Sequence, residues 1–103
     1  MARIDITEEA AYDLEGTWAY IAHHSEPAAR RFIGRILKKL ELLAEQPGVG
    51  RSRQELGRGF RSYPVRKYLI FYRRVDDGVQ VIRVVHGARD LERLFERPDE
   101  TEL

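Results

Sequence analysis

Cysteine is absent from the 103 residues, which excludes a disulfide framework, a thiolate nucleophile and sulfur ligands for a metal. No apolar run approaches the roughly 18–20 residues that a membrane-spanning helix needs. The first residues lack the basic-then-apolar order of a secretory signal. Internal repeats and low-complexity segments are also absent. These absences give the expectation of a soluble, cytoplasmic protein with no membrane partner. They also leave no cofactor-binding motif to develop, since the one glycine-rich stretch, GVGRSRQELGRGF (48–60), lacks the lysine and helix start of a phosphate loop.

What is present is a chain that should fold as one domain. Hydrophobic residues make up 43%, and a chain of this length buries roughly 60–70% of its unfolded surface. The net charge of +1 conceals an asymmetry. Residues 1–46 carry a net −2, residues 47–97 a net +6, and the tail 98–103 a net −3. Eleven of the twelve cations in the middle stretch are arginine, the residue that binds carboxylate and phosphate bidentately. That composition suits either a solvated basic face or a surface for an acidic partner.

The hydrophobic periodicity changes twice. ARIDIT (2–7) alternates and predicts a short strand. Thr7 is placed to cap a helix with Glu8 and Glu9 in its first turn, where carboxylates suit the helix dipole. Ala11, Leu14, Trp18 and Ile21 recur at helical spacing to about His23, with Trp18 expected in the core. The adjacent His23 and His24 read as a solvent-exposed turn, because neighbours in sequence do not share a helix face as a metal site would need. Ala29, Phe32, Ile33, Ile36, Leu40 and Leu43 predict a second helix over 28–46, stopped by Pro47 and Gly48. Residues 48–60 are expected as a mobile polar connection.

Three strands should follow, Phe60 to Arg66, Tyr68 to Arg74 and Val79 to His86. Pro64 marks the first as an edge or bulge. YLIFYRR reads as central, and Asp77-Gly78 as a hairpin turn. Gly87 ends the last strand, and Arg89 to Arg97 should make a short helix with Leu91, Leu94 and Phe95 inward. The reading is therefore α+β: an N-terminal strand, an α-helical hairpin packed on a small, largely antiparallel four-stranded sheet, and a short C-terminal helix. Residues 1–103 form a single domain, with 98–103 a frayed acidic tail.

The residues in this order resemble the RelE/ParE superfamily of bacterial toxins, and its ParE branch in particular. Ala10, Asp13, Leu14, Tyr20 and Ile21 carry the likeness in the first helix. Pro47-Gly48-Val49-Gly50 with Arg53 carry it after the second. Gly59-Phe60-Arg61, Tyr68-Leu69-Ile70-Phe71-Tyr72 and Val84-Val85-His86-Gly87-Ala88-Arg89-Asp90 complete it. The resemblance implies the toxin component of a type II toxin–antitoxin system. It would inhibit DNA gyrase, be neutralised by a cognate ParD-like antitoxin, and need no direct sequence-specific nucleic-acid binding.

The alternatives are a RelE-type, ribosome-dependent mRNA endoribonuclease, or a non-toxic member acting as antitoxin partner and co-repressor. The ribonuclease branch implies a lysine pair near Phe60 to Ser62, where only Arg61 is cationic. It implies an arginine at Leu69, another at Arg89, which is kept, and a tyrosine at Phe95, which has no hydroxyl to give a proton. His86, an imidazole, is the remaining candidate acid or base. No catalytic residue is assigned on this reading. Arg61, Arg66, Arg89 and Arg93 are candidate charged contacts with antitoxin or target, Tyr68 and Phe71 candidate parts of an apolar groove, and His86 a candidate contact beside them.

Overall fold

The computed structural model describes residues 2–87. The expected C-terminal helix and tail lie outside the described residues. The chain runs β1 (Arg3–Ile6), α1 (Glu8–His24), α2 (Glu26–Glu45), a 3₁₀ turn (Pro47–Val49), β2 (Arg51–Ser52), β3 (Phe60–Val65), β4 (Tyr68–Val75) and β5 (Gly78–His86). The sheet order is β1-β5-β4-β3-β2, with β1 parallel to β5 and every other pair antiparallel. The α+β architecture of strand, helical hairpin and largely antiparallel sheet is as expected, but the sheet has five strands instead of four.

The extra strand comes from the stretch expected to be a mobile loop. Arg51 and Ser52 pair with Ser62 and Arg61. Two residues carry no alternation signal, so nothing local announces this strand. The stretch is anchored rather than loose. Tyr72 is fully buried in the middle of β4; its hydroxyl donates to the Pro47 carbonyl (2.7 Å) and accepts from the Gly50 N–H (2.9 Å). Arg61 donates to the carbonyls of Gly50 (2.7 Å) and Gly48 (3.5 Å), and Arg53 to the Ser62 hydroxyl (2.8 Å). A side chain at Gly50 would overlap the Tyr72 hydroxyl and press on the Ser62 carbonyl, so glycine is required there.

Both helices begin with side-chain caps. Thr7 accepts from the Ala10 N–H (3.1 Å) and Ser25 from the Ala28 N–H (3.2 Å), with Pro27 in the first turn of α2. The break between the helices is Ser25 alone, because α1 runs on through His23 and His24, which the sequence had suggested were a turn. The buried face of α1 is also rotated from its expected position. Ala10 and Thr17 are buried, Leu14 and Ile21 pack on the core, Ala11 is exposed and Trp18 only partly covered. Small residues let α1 approach the sheet closely, which the hydrophobicity pattern under-weights. On α2, Ala29, Phe32, Ile36, Leu40 and Leu43 are buried, and most of these meet Val65, Ile70, Tyr72, Val79, Val81 and Val84 on one face of the sheet.

The two hairpins have two-residue turns, Arg66-Lys67 and Asp76-Asp77, with Arg66 and Asp77 each at φ 58°. Gly78 therefore does not make the turn. It is the first residue of β5, and a Cβ there would collide with the Arg3 backbone across the parallel β1–β5 pair. Pro64 sits beyond the two residues that β2 pairs, so its missing N–H costs no ladder bond on that side.

Burial pushes the Tyr72 phenol above its usual pKa, outweighing the Gly50 N–H and the Arg61 charge, which favour the phenolate. The neutral form is thus the one the fold stabilises. Its contribution is present below about pH 10 and is lost as pH rises through the higher folded-state value. Tyr72→Phe leaves the Pro47 carbonyl and Gly50 N–H without their partner. It should lower unfolding free energy by about 1–3 kcal/mol in urea titrations near neutral pH. The variant's deficit should shrink as pH rises above ~10, where the wild-type phenol ionises in the unfolded chain before it does in the folded one.

Candidate partner-binding surface

Strand β5 outruns its neighbour. β1 pairs only with Gly78–Val81, so among the described residues no strand lies beside the outer edge of β5 from Ile82 onward. Unpaired backbone groups there would be costly, and α1 supplies their partners. Thr7 donates its hydroxyl to the Ile82 carbonyl (3.0 Å). The Asp13 carboxylate accepts the Val84 N–H (2.9 Å) and, side-on, both Arg83 Nε (2.7 Å) and a terminal Arg83 nitrogen (3.1 Å). A register shift lets this happen. Phe71 faces Arg83 and Tyr72 faces Val81, so Ile82 is an extra residue that re-aims the strand.

This arrangement builds one end of the sheet. Tyr68 opens β4 opposite His86, the last residue of β5. Their rings meet edge to face at 5.2 Å, and Tyr68 also lies tilted on Phe32 at 4.8 Å. Both are half-buried. Gly87 donates its N–H to the Lys67 carbonyl (2.8 Å), tying the end of β5 to the β3–β4 turn. That turn presents Arg66 and Lys67, both exposed. Beside them a cleft of about 220 Å³ runs along α1, walled by Tyr12, Gly16, Tyr20, Tyr68 and Val84. The surface offers aromatic faces for an apolar anchor and adjacent cations for carboxylates.

The candidate residues therefore separate. Tyr68, His86 and Arg66 gather at this end. Arg61 lies at the other end of β3, and its guanidinium is engaged with the carbonyls of Gly48 and Gly50. Phe71 is 1% exposed and faces away from the main core; with Leu56, Phe60, Ile82 and Arg83 it lines a slot of about 150 Å³ on the opposite side of the sheet. Arg89 and Arg93 lie outside the described residues. Sequence reasoning missed the Asp13–Arg83 pair, seventy residues apart with no shared motif. It also missed the division of charge between the helices: α1 has four carboxylates and neither lysine nor arginine, whereas α2 exposes Arg30, Arg31, Arg35 and Lys38. No group of three or more metal-ligating side chains occurs among the described residues, and no helix there is long and apolar enough to cross a membrane.

Comparisons with known proteins agree with this geometry. A family model described as "ParE toxin of type II toxin-antitoxin system, parDE" matches residues 4–91. Toxin ParE1 of Caulobacter vibrioides is 29% identical over 84 residues, spanning 81% of this chain and 86% of that protein. The solved structure titled "Chromosomal ParDE TA system from P. aeruginosa" superposes with a TM-score of 0.69 at 19% identity, covering 84% of this chain and 96% of that one. At that identity it bears on the fold alone.

Asp13→Ala removes the carboxylate that binds the Arg83 guanidinium and takes the acceptor from the Val84 N–H. It should cost about 1.5–3 kcal/mol in chemical unfolding, with the partial exposure of Arg83 keeping the loss well below that of a fully buried pair. Asp13→Asn, which retains an acceptor for Val84, should cost less. Amide exchange at Val84 should accelerate in the alanine variant before global unfolding does.

Proposed function

We propose, from the premise that this chain belongs to the ParE toxin family of type II toxin–antitoxin systems, that it acts in the cytoplasm by binding DNA gyrase and is held inactive by a cognate ParD-like antitoxin. The observation that carries the proposal is the family match over residues 4–91. The geometry supports it with an end of the sheet where Tyr68, His86 and the exposed Arg66 and Lys67 adjoin an aromatic cleft. An acidic, amphipathic antitoxin segment is complementary to that surface: apolar side chains for the cleft, carboxylates for the turn. Action on gyrase would trap the topoisomerase, so DNA breaks accumulate. This needs binding and no catalytic group in the toxin.

The ribonuclease alternative draws its support from His86, the one described candidate acid or base beside the cationic turn. It is weakened by Leu69 and Phe95, which stand where that branch carries an arginine and a tyrosine. A small acidic reading frame directly upstream of and overlapping this gene would support either toxin reading.

In a gyrase supercoiling assay with detection of cleaved DNA, the purified chain should inhibit at micromolar concentration and accumulate linear product. No effect on gyrase, together with ribosome-dependent mRNA cuts that vanish on His86→Ala, would transfer the assignment to the ribonuclease branch. Reversing the turn charges with Arg66→Glu and Lys67→Glu should weaken antitoxin binding at low salt by roughly five- to thirtyfold. It should flatten the salt dependence of the association rate. Unchanged affinity and salt slope would remove this turn from the interface.

A further inference from the structure

The ten residues from Arg30 to Lys39 hold five cations and no acid. Helix α2 sorts them by side. Lys39 is half-buried, with its ammonium 5.8 Å from the centre of the Tyr63 ring. Arg30, Arg31, Arg35 and Lys38 are exposed on the side opposite the core stripe. Arg30 is engaged, donating to the Glu26 carboxylate at 2.6 Å. Arg31, Arg35 and Lys38 form no ion pair among the described residues. Steps of four and three residues stack these three on one side of the helix over about 10 Å. Like charges at that spacing repel, so the fold gains nothing from the arrangement. Gly34 sits among them, one turn from Arg30, Arg31, Leu37 and Lys38. A Cβ at Gly34 would meet no atom within 4 Å, and its backbone has no positive φ. Neither packing nor backbone geometry therefore asks for glycine there, although it weakens a helix relative to alanine.

We propose that this face of α2 binds the phosphate backbone of duplex DNA without reading its sequence. Three uncompensated cations over about 10 Å match about three successive phosphates of one strand, which lie about 3.4 Å apart along the axis. Two of the three are arginines, whose planar fork suits a phosphate. Gly34 leaves the helix backbone bare between them, so the strand can approach closely. The occupant follows from what the face lacks. A protein partner is held by large side chains seated in pockets. Leu37 is the one large apolar side chain exposed on α2, and no α2 residue lines the cleft beside Tyr68. A single strand needs aromatic rings on which its bases stack, and the sole aromatic of α2, Phe32, is buried. An RNA duplex has a deep, narrow major groove, whereas the major groove of B-form DNA, about 12 Å wide, admits a helix face. The contact concentrates the chain on the duplex, where enzymes that act on DNA are met. It rests on neither the gyrase nor the antitoxin reading.

The test is fluorescence anisotropy of a labelled duplex of about 30 base pairs, titrated with the full chain from about 20 to 200 mM salt. The expected result is binding that weakens as salt rises, equally for two unrelated sequences. The slope of log affinity against log salt should be at least about 2.7 in magnitude, the value for three phosphates. Arg31→Gln, Arg35→Gln and Lys38→Gln should each reduce it by about 0.9, with the melting temperature unchanged, and the triple variant by about 2.7. Arg66→Gln with Lys67→Gln should leave the slope as it is. No binding at about 20 mM salt overturns the proposal. So does a slope indifferent to the three α2 substitutions, or an RNA duplex or single strand held as tightly as the DNA duplex. If the triple variant keeps its DNA affinity and loses antitoxin capture, the face belongs to that partner and the proposal is wrong. Because the probe is DNA alone, the outcome is independent of the supercoiling assay.

Discussion

The open edge of β5 is the constraint on which the rest of this structure depends. Among the described residues, a nine-residue strand beside a four-residue one leaves backbone donors and acceptors with no ladder to join. The chain meets this with a helix rather than a strand. Thr7 ends β1, caps α1 and bonds the Ile82 carbonyl, so one residue fixes the angle at which α1 leaves the sheet. Two turns later Asp13 closes the remaining gap at Arg83 and Val84. With α1 held there, α2 must return across the same face, and its buried stripe completes the core.

The same constraint shapes the surface. Because α1 lies along β5 and not squarely over the sheet, its outer side stays exposed and a cleft remains between it and Tyr68. Its four carboxylates stand apart from the cations of α2 and of the β3–β4 turn. The basic end of the sheet, with Tyr12 and Tyr20 of α1 walling its cleft beside Tyr68, suits an acidic partner.

Much of the fold was legible because its signals are local. Alternation in ARIDIT, the caps at Thr7 and Ser25, the apolar stripe from Ala29 to Leu43 and the run Tyr68 to Tyr72 each report on neighbours a few residues away. The errors have a common cause. Arg51-Ser52 is too short to show alternation. Gly78 looked like a turn residue, yet its turn belongs to Asp76-Asp77, and its lack of a side chain serves a strand seventy-five positions away. Tyr72 read as one more apolar residue of a central strand, whereas its hydroxyl organises the Pro47–Gly50 segment.

The sequence by itself determined the element types, the α+β class and the family, because periodicity, capping and motif order are written along the chain. It also held Tyr12, Gly16 and Tyr20 at helical spacing, though nothing in the order of residues told which positions of α1 face solvent. Only the tertiary structure decided that Arg61 turns inward to the 48–50 carbonyls while Arg66 stays exposed. Only it brought Asp13 to Arg83, and Tyr68 to His86. Those outcomes depend on strand register and on the angle of α1, and both are set by long-range backbone pairing that no local pattern encodes.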